Sequence, residues 1–347
     1  MNENLKAAKD IITNYRGRPL RIMEVCGTHT HEIFRLGIRN LMPKNAEIIS
    51  GPGCPVCVTP VGFIDEACWL ALEKDCTVCT FGDLIRVPGT EKSLAGARAE
   101  GAKVRPVYSP LDAVELAKND PDGLYVFLAV GFETTTPSAC LAAETAKNEG
   151  LKNFSLLTAN KTMPNAYKAL VGSADAFIYP GHVNAITGNK TCIELCEKYG
   201  VSGVVAGFTA NELLTAIAVT LTLADKGEPF FRNCYPRVVK DEGNPAAIRI
   251  MERVMQPCDS EWRGLGVIPM SGMELREEFA EFDARKKFDM PKIEGKPNPA
   301  CRCGDVLQGK CKPSDCKVFG KGCTPQHPIG ACMVSGEGAC SAYYQYN

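Results

Sequence analysis

The stretch Met23-Glu24-Val25-Cys26-Gly27-Thr28-His29-Thr30-His31 places one thiol and two of the chain's four histidines within six residues. Thiolate and imidazole together are a workable ligand set for Fe(II) or Zn(II). An apolar run ends at Val25 and a helix pattern follows, so Cys26 falls on the turn at a strand's carboxyl end. Doubly wound sheets bind ligands along that edge. A helix N-terminus beside Cys26 is expected to lower the thiol pKa and favour the thiolate. The plainer alternative is a buried cysteine with two surface histidines. A second stretch, Ser50-Gly51-Pro52-Gly53-Cys54-Pro55-Val56-Cys57, also follows a strand pattern. Its Cys-x-x-Cys spacing lets two sulfurs meet as a disulfide or share a metal. Its glycines and prolines fix an irregular loop that another group can approach closely. Cys76 and Cys79 share the spacing but lie within an expected strand, where positions three apart face opposite sides. They read as core, which leaves Cys54 and Cys57 as the candidate redox pair.

Two further turns put a proton-handling side chain at a strand end. Gly131-Phe132-Glu133-Thr134-Thr135 carries Glu133, and Pro180-Gly181-His182-Val183 carries His182. The bland alternatives are an acid stabilised at a helix start and a structural histidine. Neither a phosphate-binding loop nor a dinucleotide fingerprint follows any strand pattern, so nucleotide binding has no motif support.

The chain has 347 residues, 45% hydrophobic and 23% charged, enough for two or three folded domains. Its 39 basic and 40 acidic residues leave a net charge of −1, which attracts neither nucleic acid nor an anionic membrane. The first residues read as an amphipathic helix rather than a signal peptide, and no apolar run spans a bilayer. A cytoplasmic protein is expected. In that compartment 18 cysteines point to metal ligands and redox thiols rather than a disulfide framework. Cys68, Cys140, Cys192, Cys196 and Cys234 stand in apolar contexts and read as small core hydrophobes.

These candidates need elements to position them. Strands are expected at 20–25, 47–50, 77–81, 103–108, 124–130, 154–159, 176–179 and 203–206. Helices are expected between them at 30–42, 63–74, 91–100, 137–148, 164–171, 185–199 and 210–225. Such alternation predicts an α/β fold of parallel sheets covered on both faces. A polar, proline-containing stretch at 109–123 suggests two doubly wound modules around a cleft, 1–115 and 116–230. A third region, 231–347, opens the tail with a charged helix at 274–288 and continues rich in Gly, Pro and Cys. It cannot order itself by apolar burial alone. Seven cysteines, Cys301, Cys303, Cys311, Cys316, Cys323, Cys332 and Cys340, are its means of doing so. Their wide spacing argues against paired zinc knuckles and suits a four-cysteine iron–sulfur cluster, without showing which four.

Taken in order, CGTHTH, GPGCPVC, the GFETT and PGHV turns and the ending GACMVSGEGACSAYY resemble the HypD family of [NiFe]-hydrogenase maturation proteins. The resemblance runs from about Met23 to the C-terminus. It implies a scaffold, rather than a turnover enzyme, for assembling the Fe(CN)₂CO unit, with iron as transient cargo carrying cyanide and carbon monoxide. It also implies a HypC-type chaperone and a HypE-type cyanide donor as partners. The family's iron-binding cysteine falls on Cys26, with His29 nearby as ligand or proton donor, and its redox thiols fall on Cys54 and Cys57. Its [4Fe–4S] ligands, spaced Cys-x14-Cys-x6-Cys-x16-Cys, fall on Cys301, Cys316, Cys323 and Cys340, with Cys303 and Cys332 as competitors. Glu133 and His182 would relay protons or orient diatomic ligands. A rival reading is an iron–sulfur-dependent thiol–disulfide oxidoreductase acting through Cys54 and Cys57. A third is a zinc-stabilised interaction protein.

Overall fold

Runs of β-branched and aromatic residues form nine parallel strands in the computed structural model, which describes residues 3–347. They are β1 (Leu20–Glu24), β2 (Ala46–Ser50), β3 (Thr77–Thr80), β4 (Val104–Pro106), β5 (Tyr125–Gly131), β6 (Phe154–Asn160), β7 (Ala176–Pro180), β8 (Gly203–Ala206) and β9 (Phe231–Asn233). One sheet has the order β2-β1-β7-β8-β9 and the other β4-β3-β5-β6. Their faces follow the two-residue period. Phe127 and Ala129 of β5 join one core cluster, while Val126, Leu128 and Val130 join another. In the first sheet Ile22, Ile48, Ile178 and Val204 face one side, and Met23, Ile49, Phe177 and Val205 the other. Helices cover both faces, as buried parallel strands require.

The sheets do not follow one another along the chain. After β2 the chain builds β3 to β6 as the second sheet and then returns, placing β7 beside β1. The boundary expected near residue 115 therefore falls inside the second sheet, between β4 and β5. The 109–123 stretch is no linker: it holds the helix Pro110–Asn119, started by a capping box of Ser109 and Asp112.

Other expected helices divide. The 185–199 run breaks into Gly181–Thr187 and Lys190–Tyr199 at Gly188, whose φ of 74° only glycine adopts without strain. The 274–288 helix is instead the end of a strand, a 3₁₀ turn at Glu277–Phe282 and a single turn at Ala284–Lys287. Before it lies an antiparallel hairpin, β10 (Met255–Trp262) with β11 (Gly266–Leu275). Buried Lys161 clamps this hairpin to the end of β6. Its Nζ donates to Ser260 Oγ at 2.7 Å and to the Glu261 carbonyl at 2.6 Å.

The tail carries only short helices, among them Cys303–Leu307, Ala331–Val334 and Ala339–Tyr346. Its apolar residues Val306, Leu307 and Met333 share one core cluster with Met23, Ile49 and Phe177 of the first sheet. The region after residue 230 thus forms no core of its own: Met251, Met255, Met273 and Phe282 pack into the second sheet's core, and much of the cysteine-rich tail into the first sheet's. No helix among the described residues is long and apolar enough to cross a membrane.

Candidate functional site

In the first sheet the chain runs from β1 to β2 on one side and from β7 to β8 and β9 on the other. The strand order reverses between β1 and β7, and a crevice opens at the carboxyl ends of such a pair. Cys26 follows β1 and His182 follows β7, so both arrive there. Cys26 Sγ lies 3.8 Å from His182 Nε2. The Gly51–Gly53 loop after β2 crosses directly over this point: the Gly27 N–H donates to the Gly53 carbonyl at 2.9 Å. A Cβ on Gly53 would sit 2.1 Å from the Cys26 nitrogen, so only glycine fits.

Cys26 is the N-cap of the helix Gly27–Arg35, as the sequence suggests, yet its thiol is not acidified. Burial pushes its pKa well above the ordinary value, and Glu337 and Glu24 add to the rise. The backbone N–H groups of His29 and Thr28 pull the other way and lose. A metal taken up here must displace the thiol proton. His29 is also buried, and it turns away: Nε2 donates to the Gly207 carbonyl at 3.0 Å, leaving Nδ1 without a partner. Burial lowers the pKa of His29 to about 3 and that of His182 to about 4, so both imidazoles are neutral at pH 7. His182, not His29, is the imidazole against the Cys26 sulfur.

Glu133 follows β5 at the carboxyl edge of the second sheet. Oε1 accepts the Met163 N–H at 2.8 Å while buried Oε2 has no partner, and burial raises the pKa to about 7. Behind Cys26, buried Glu24 accepts the Thr30 hydroxyl at 2.7 Å and is likewise raised to about 7 by burial.

Cys54 and Cys57 sit on one turn, the helix Pro55–Val58 capped by Cys54, whose sulfur accepts the Cys57 N–H at 3.4 Å. The Cys57 sulfur lies close to those of Cys54 and Cys332. Contact with Cys332, then with Cys54, and burial hold the Cys57 thiol well above its usual range. From Cys332 the contacts continue to Cys303 and Cys340, and from Cys303 to Cys301. Six tail cysteines, Cys301, Cys303, Cys316, Cys323, Cys332 and Cys340, line one cavity, and Cys311 stands outside it.

All 18 cysteines carry free thiols. Among the described residues no three His, Cys, Asp or Glu side chains converge on a single-ion site. The six sulfurs surround a space, as ligands to a multi-iron cluster must, because the metal atoms lie between them. A soft donor set in an apolar wall of Val318, Phe319 and Met333 fits such a group. Of the other cysteines, Cys76 and Cys79 are buried on opposite faces of the second sheet. Cys68, Cys140 and Cys192 are buried and Cys196 and Cys234 half-buried.

The link between tail and crevice went unread in the sequence. The segment between the last two tail helices closes over Cys26. The Thr28 hydroxyl donates to Glu337 Oε1 at 2.7 Å, His31 Nδ1 to the Gly336 carbonyl at 3.1 Å, and Cys54 Sγ to Ser335 Oγ at 3.5 Å. The signal available was an acid flanked by glycines, Gly336-Glu337-Gly338, between the last two cysteines.

Two parallel sheets, with a cysteine-ringed tail packed over the carboxyl edge that carries Cys26, define an α/β protein with a cysteine-rich C-terminal region. The family model HypD, described as the hydrogenase formation hypA family, matches residues 2–347. The hydrogenase maturation factor HypD of Azotobacter vinelandii is 44% identical over 340 residues, covering 95% of this chain and 90% of that protein. That of Escherichia coli K12 is 42% identical over 351 residues, covering 99% and 94%. A putative hydrogenase expression/formation protein of Methanocaldococcus jannaschii is 44% identical over 330 residues, covering 94% and 92%. The chain belongs to the HypD family of hydrogenase maturation factors.

Proposed function

We propose that this chain scaffolds assembly of the Fe(CN)₂CO unit, holding iron on Cys26 and using a relay of thiols for redox. The observation that carries the reading is the unbroken line of sulfurs Cys301, Cys303, Cys332, Cys57 and Cys54, which ends beside the loop covering Cys26. Cys301, Cys316, Cys323 and Cys340 would hold a [4Fe–4S] cluster, leaving Cys303 and Cys332 as a thiol pair between cluster and crevice. When bound, that cluster supplies electrons singly to the neighbouring sulfurs.

The protein's own step is thiol–disulfide exchange. Cys332, as thiolate, attacks the Cys57 sulfur of a Cys54–Cys57 disulfide, and Cys54 leaves and takes up a proton. Cys303 then attacks the mixed disulfide, forming Cys303–Cys332 and releasing Cys57 as a thiol. Two electrons pass toward the crevice, and each released sulfur gains the proton that an attacking thiol gave up. Cys26 supplies one sulfur to the iron with His182 beside it, so further ligands come from outside the chain. A HypC-type chaperone would contribute a sulfur and a HypE-type protein the cyanide. Neutral His182 and Glu133 stand ready to hold or pass protons at this point.

Replacing Cys26 by Ala in the chain purified anaerobically with its small partner tests the anchor. Infrared bands of bound cyanide and carbon monoxide should disappear. Their persistence would remove Cys26 from the mechanism. Replacing Cys332 by Ser should leave the Cys54–Cys57 disulfide unreduced when dithionite is added to the cluster-loaded chain. Unchanged reduction would break the relay.

A further inference from the structure

Strands β7, β8 and β9 are neighbours in the first sheet, and each is followed by a turn that carries a ring: His182, Phe208 and Tyr235. Phe208 touches both imidazoles of the CGTHTH and PGHV motifs. Its ring stacks on that of His182, with centroids 5.0 Å apart and planes 14° from parallel. It meets His29 at 4.8 Å, tilted by 32°. Tyr235 closes the group edge-on, 6.2 Å from Phe208. The turns are shaped for this approach. A Cβ on Gly207 would lie 2.7 Å from the Tyr235 ring, and so would one on Gly181, so only glycine admits that ring at both positions. Glu212 then fixes the backbone at Phe208. Its Oε2 accepts the N–H of Phe208 and that of Thr209, each at 3.0 Å, and Arg237 holds its Oε1 at 2.8 Å.

His29 joins the same assembly through the backbone. Its Nε2 donates to the Gly207 carbonyl at 3.0 Å, on the peptide that leads into Phe208. An unbroken chain of contacts therefore runs from buried His29 to that peptide, from the Phe208 ring to the His182 ring, and from His182 Nε2 to the Cys26 sulfur at 3.8 Å. A nitrogen–sulfur contact of that length tethers an imidazole weakly. The orientation of the His182 ring has to come from packing, and the near-parallel stack on Phe208 supplies it. Helix Gly181–Thr187 fixes the His182 backbone but leaves the ring torsion free, and Phe208 covers one of its faces.

We propose that Phe208 is a positioning residue for iron capture at Cys26: its ring holds the His182 imidazole against the sulfur, and His29 serves the site by fixing the peptide that carries Phe208. This deepens the scaffold reading and rests on it. The two histidines thereby divide the work. His182 is the imidazole that an incoming metal ion meets beside the thiol, and His29 is a support one step behind it. Cys26 and His182 are few groups to hold a metal ion, so keeping them oriented before it arrives matters more than in a crowded site. A group already held in its bound orientation loses less freedom on binding.

The test titrates isotopically enriched ⁵⁷Fe(II) into the anaerobic, partner-bound chain and reads the bound ion by Mössbauer spectroscopy, which separates it from unenriched cluster iron. The variants are Phe208→Leu, which keeps apolar bulk and loses the ring, Phe208→Tyr, which keeps the ring, His182→Ala, and Phe208→Leu with His182→Ala. Phe208→Leu should bind iron roughly ten-fold more weakly, the usual cost of losing a residue that orients a metal-site side chain. Phe208→Tyr should bind like the wild type. Without His182 the ring has nothing to hold, so the double variant should bind no more weakly than His182→Ala. A further loss in the double variant, or equal binding by Phe208→Leu and wild type, would overturn the proposal and leave the scaffold reading standing. So would a Phe208→Tyr chain as weak as Phe208→Leu. A wild type that takes up no ⁵⁷Fe(II), or a Cys26→Ala chain that binds it equally well, would overturn the scaffold reading itself. If Phe208→Leu does not fold, long-range ¹⁵N–¹H spectra of the wild type's four histidines decide. His29 should hold a fixed Nε2–H tautomer and the His182 ring protons should lie upfield under the Phe208 ring. His182 protons at ordinary positions overturn the proposal.

Discussion

Strand β5 buries all seven of its residues between helix layers, whereas the tail from residue 289 onward has no helix longer than the eight residues of Ala339–Tyr346. The sheets are held by alternating apolar side chains removed from water on both faces. The tail instead gathers six sulfurs around a space and lays a thin apolar layer on the first sheet. One region owes its order to burial along regular elements, the other to groups far apart in sequence being tied at one point. The two regimes touch at the Ser335–Gly338 segment, which bonds to Thr28, His31 and Cys54 beside Cys26.

The sharpest way to break this comparison is to remove two ring sulfurs. Cys316→Ser with Cys323→Ser should cost the tail on the order of 5 kcal/mol of local stability. Amide hydrogen exchange should show protection lost from residue 300 onward and retained in β5. Equal loss in both regions would mean that sheets and tail are one cooperative unit. The converse change is Leu128→Ala in the second sheet, at a side chain with no exposure. It should destabilise the chain by about 4 kcal/mol in chemical denaturation, with the slope unchanged.

Buried acids sharpen the contrast, because the sheet edges hold them and the sulfur ring does not. Glu133 keeps its proton to about pH 7 in the folded chain, while an unfolded glutamate releases it near 4.5. The folded state then holds the extra proton, so this group's contribution to stability falls as pH rises through that window. Glu24 acts in the same sense. His29 and His182, with lowered values, act oppositely: stability falls as pH drops below 6.5. Glu133→Gln should therefore gain on the wild type between pH 4.5 and 7, on the order of 3 kcal/mol in all, measured by denaturant midpoints across pH. A difference that does not vary with pH would mean that Glu133 is ionised in the folded protein. A smaller effect, about 1 kcal/mol, is expected for Thr209→Ala, which removes the capping box of the helix Ala210–Ala224. Thermal melting detects it.

Strands β1 to β8 were legible because each is a short, largely apolar run ended by Gly, Pro or a polar turn. Strand β9 escaped because it has three residues and sits at an edge. The β10–β11 hairpin escaped because its alternating burial is spread over polar residues such as Asp259, Ser260 and Glu261. Strand order was beyond reach, since the pairing of β1 with β7 joins residues about 150 apart and leaves no local mark. The same holds for the site. Cys26 on its turn, the Cys54/Cys57 loop and the opposite facing of Cys76 and Cys79 follow from local periodicity. The approach of His182 to Cys26 depends on that long-range pairing. The high pKa of the Cys26 thiol depends on burial, which outweighs the helix terminus that the sequence does display. Glu337 showed only its flanking glycines, because its relation to Cys26 exists only after the tail has docked.

The excursion of the chain between β2 and β7 also sets a timetable for synthesis. The second sheet, 77–160, is continuous in sequence and can pair as soon as its last strand has emerged. Strand β1, made long before, has only β2 to pair with until residues 176–180 arrive. Domains fold as units during synthesis, and non-local pairings close late. The crevice that holds Cys26 is therefore finished after the half of the protein that faces it, and its cover, Ser335–Gly338, comes last of all. A nascent chain thus leaves Cys26 open to solvent and to other proteins for most of its production, and closes it only when the final helices leave the ribosome.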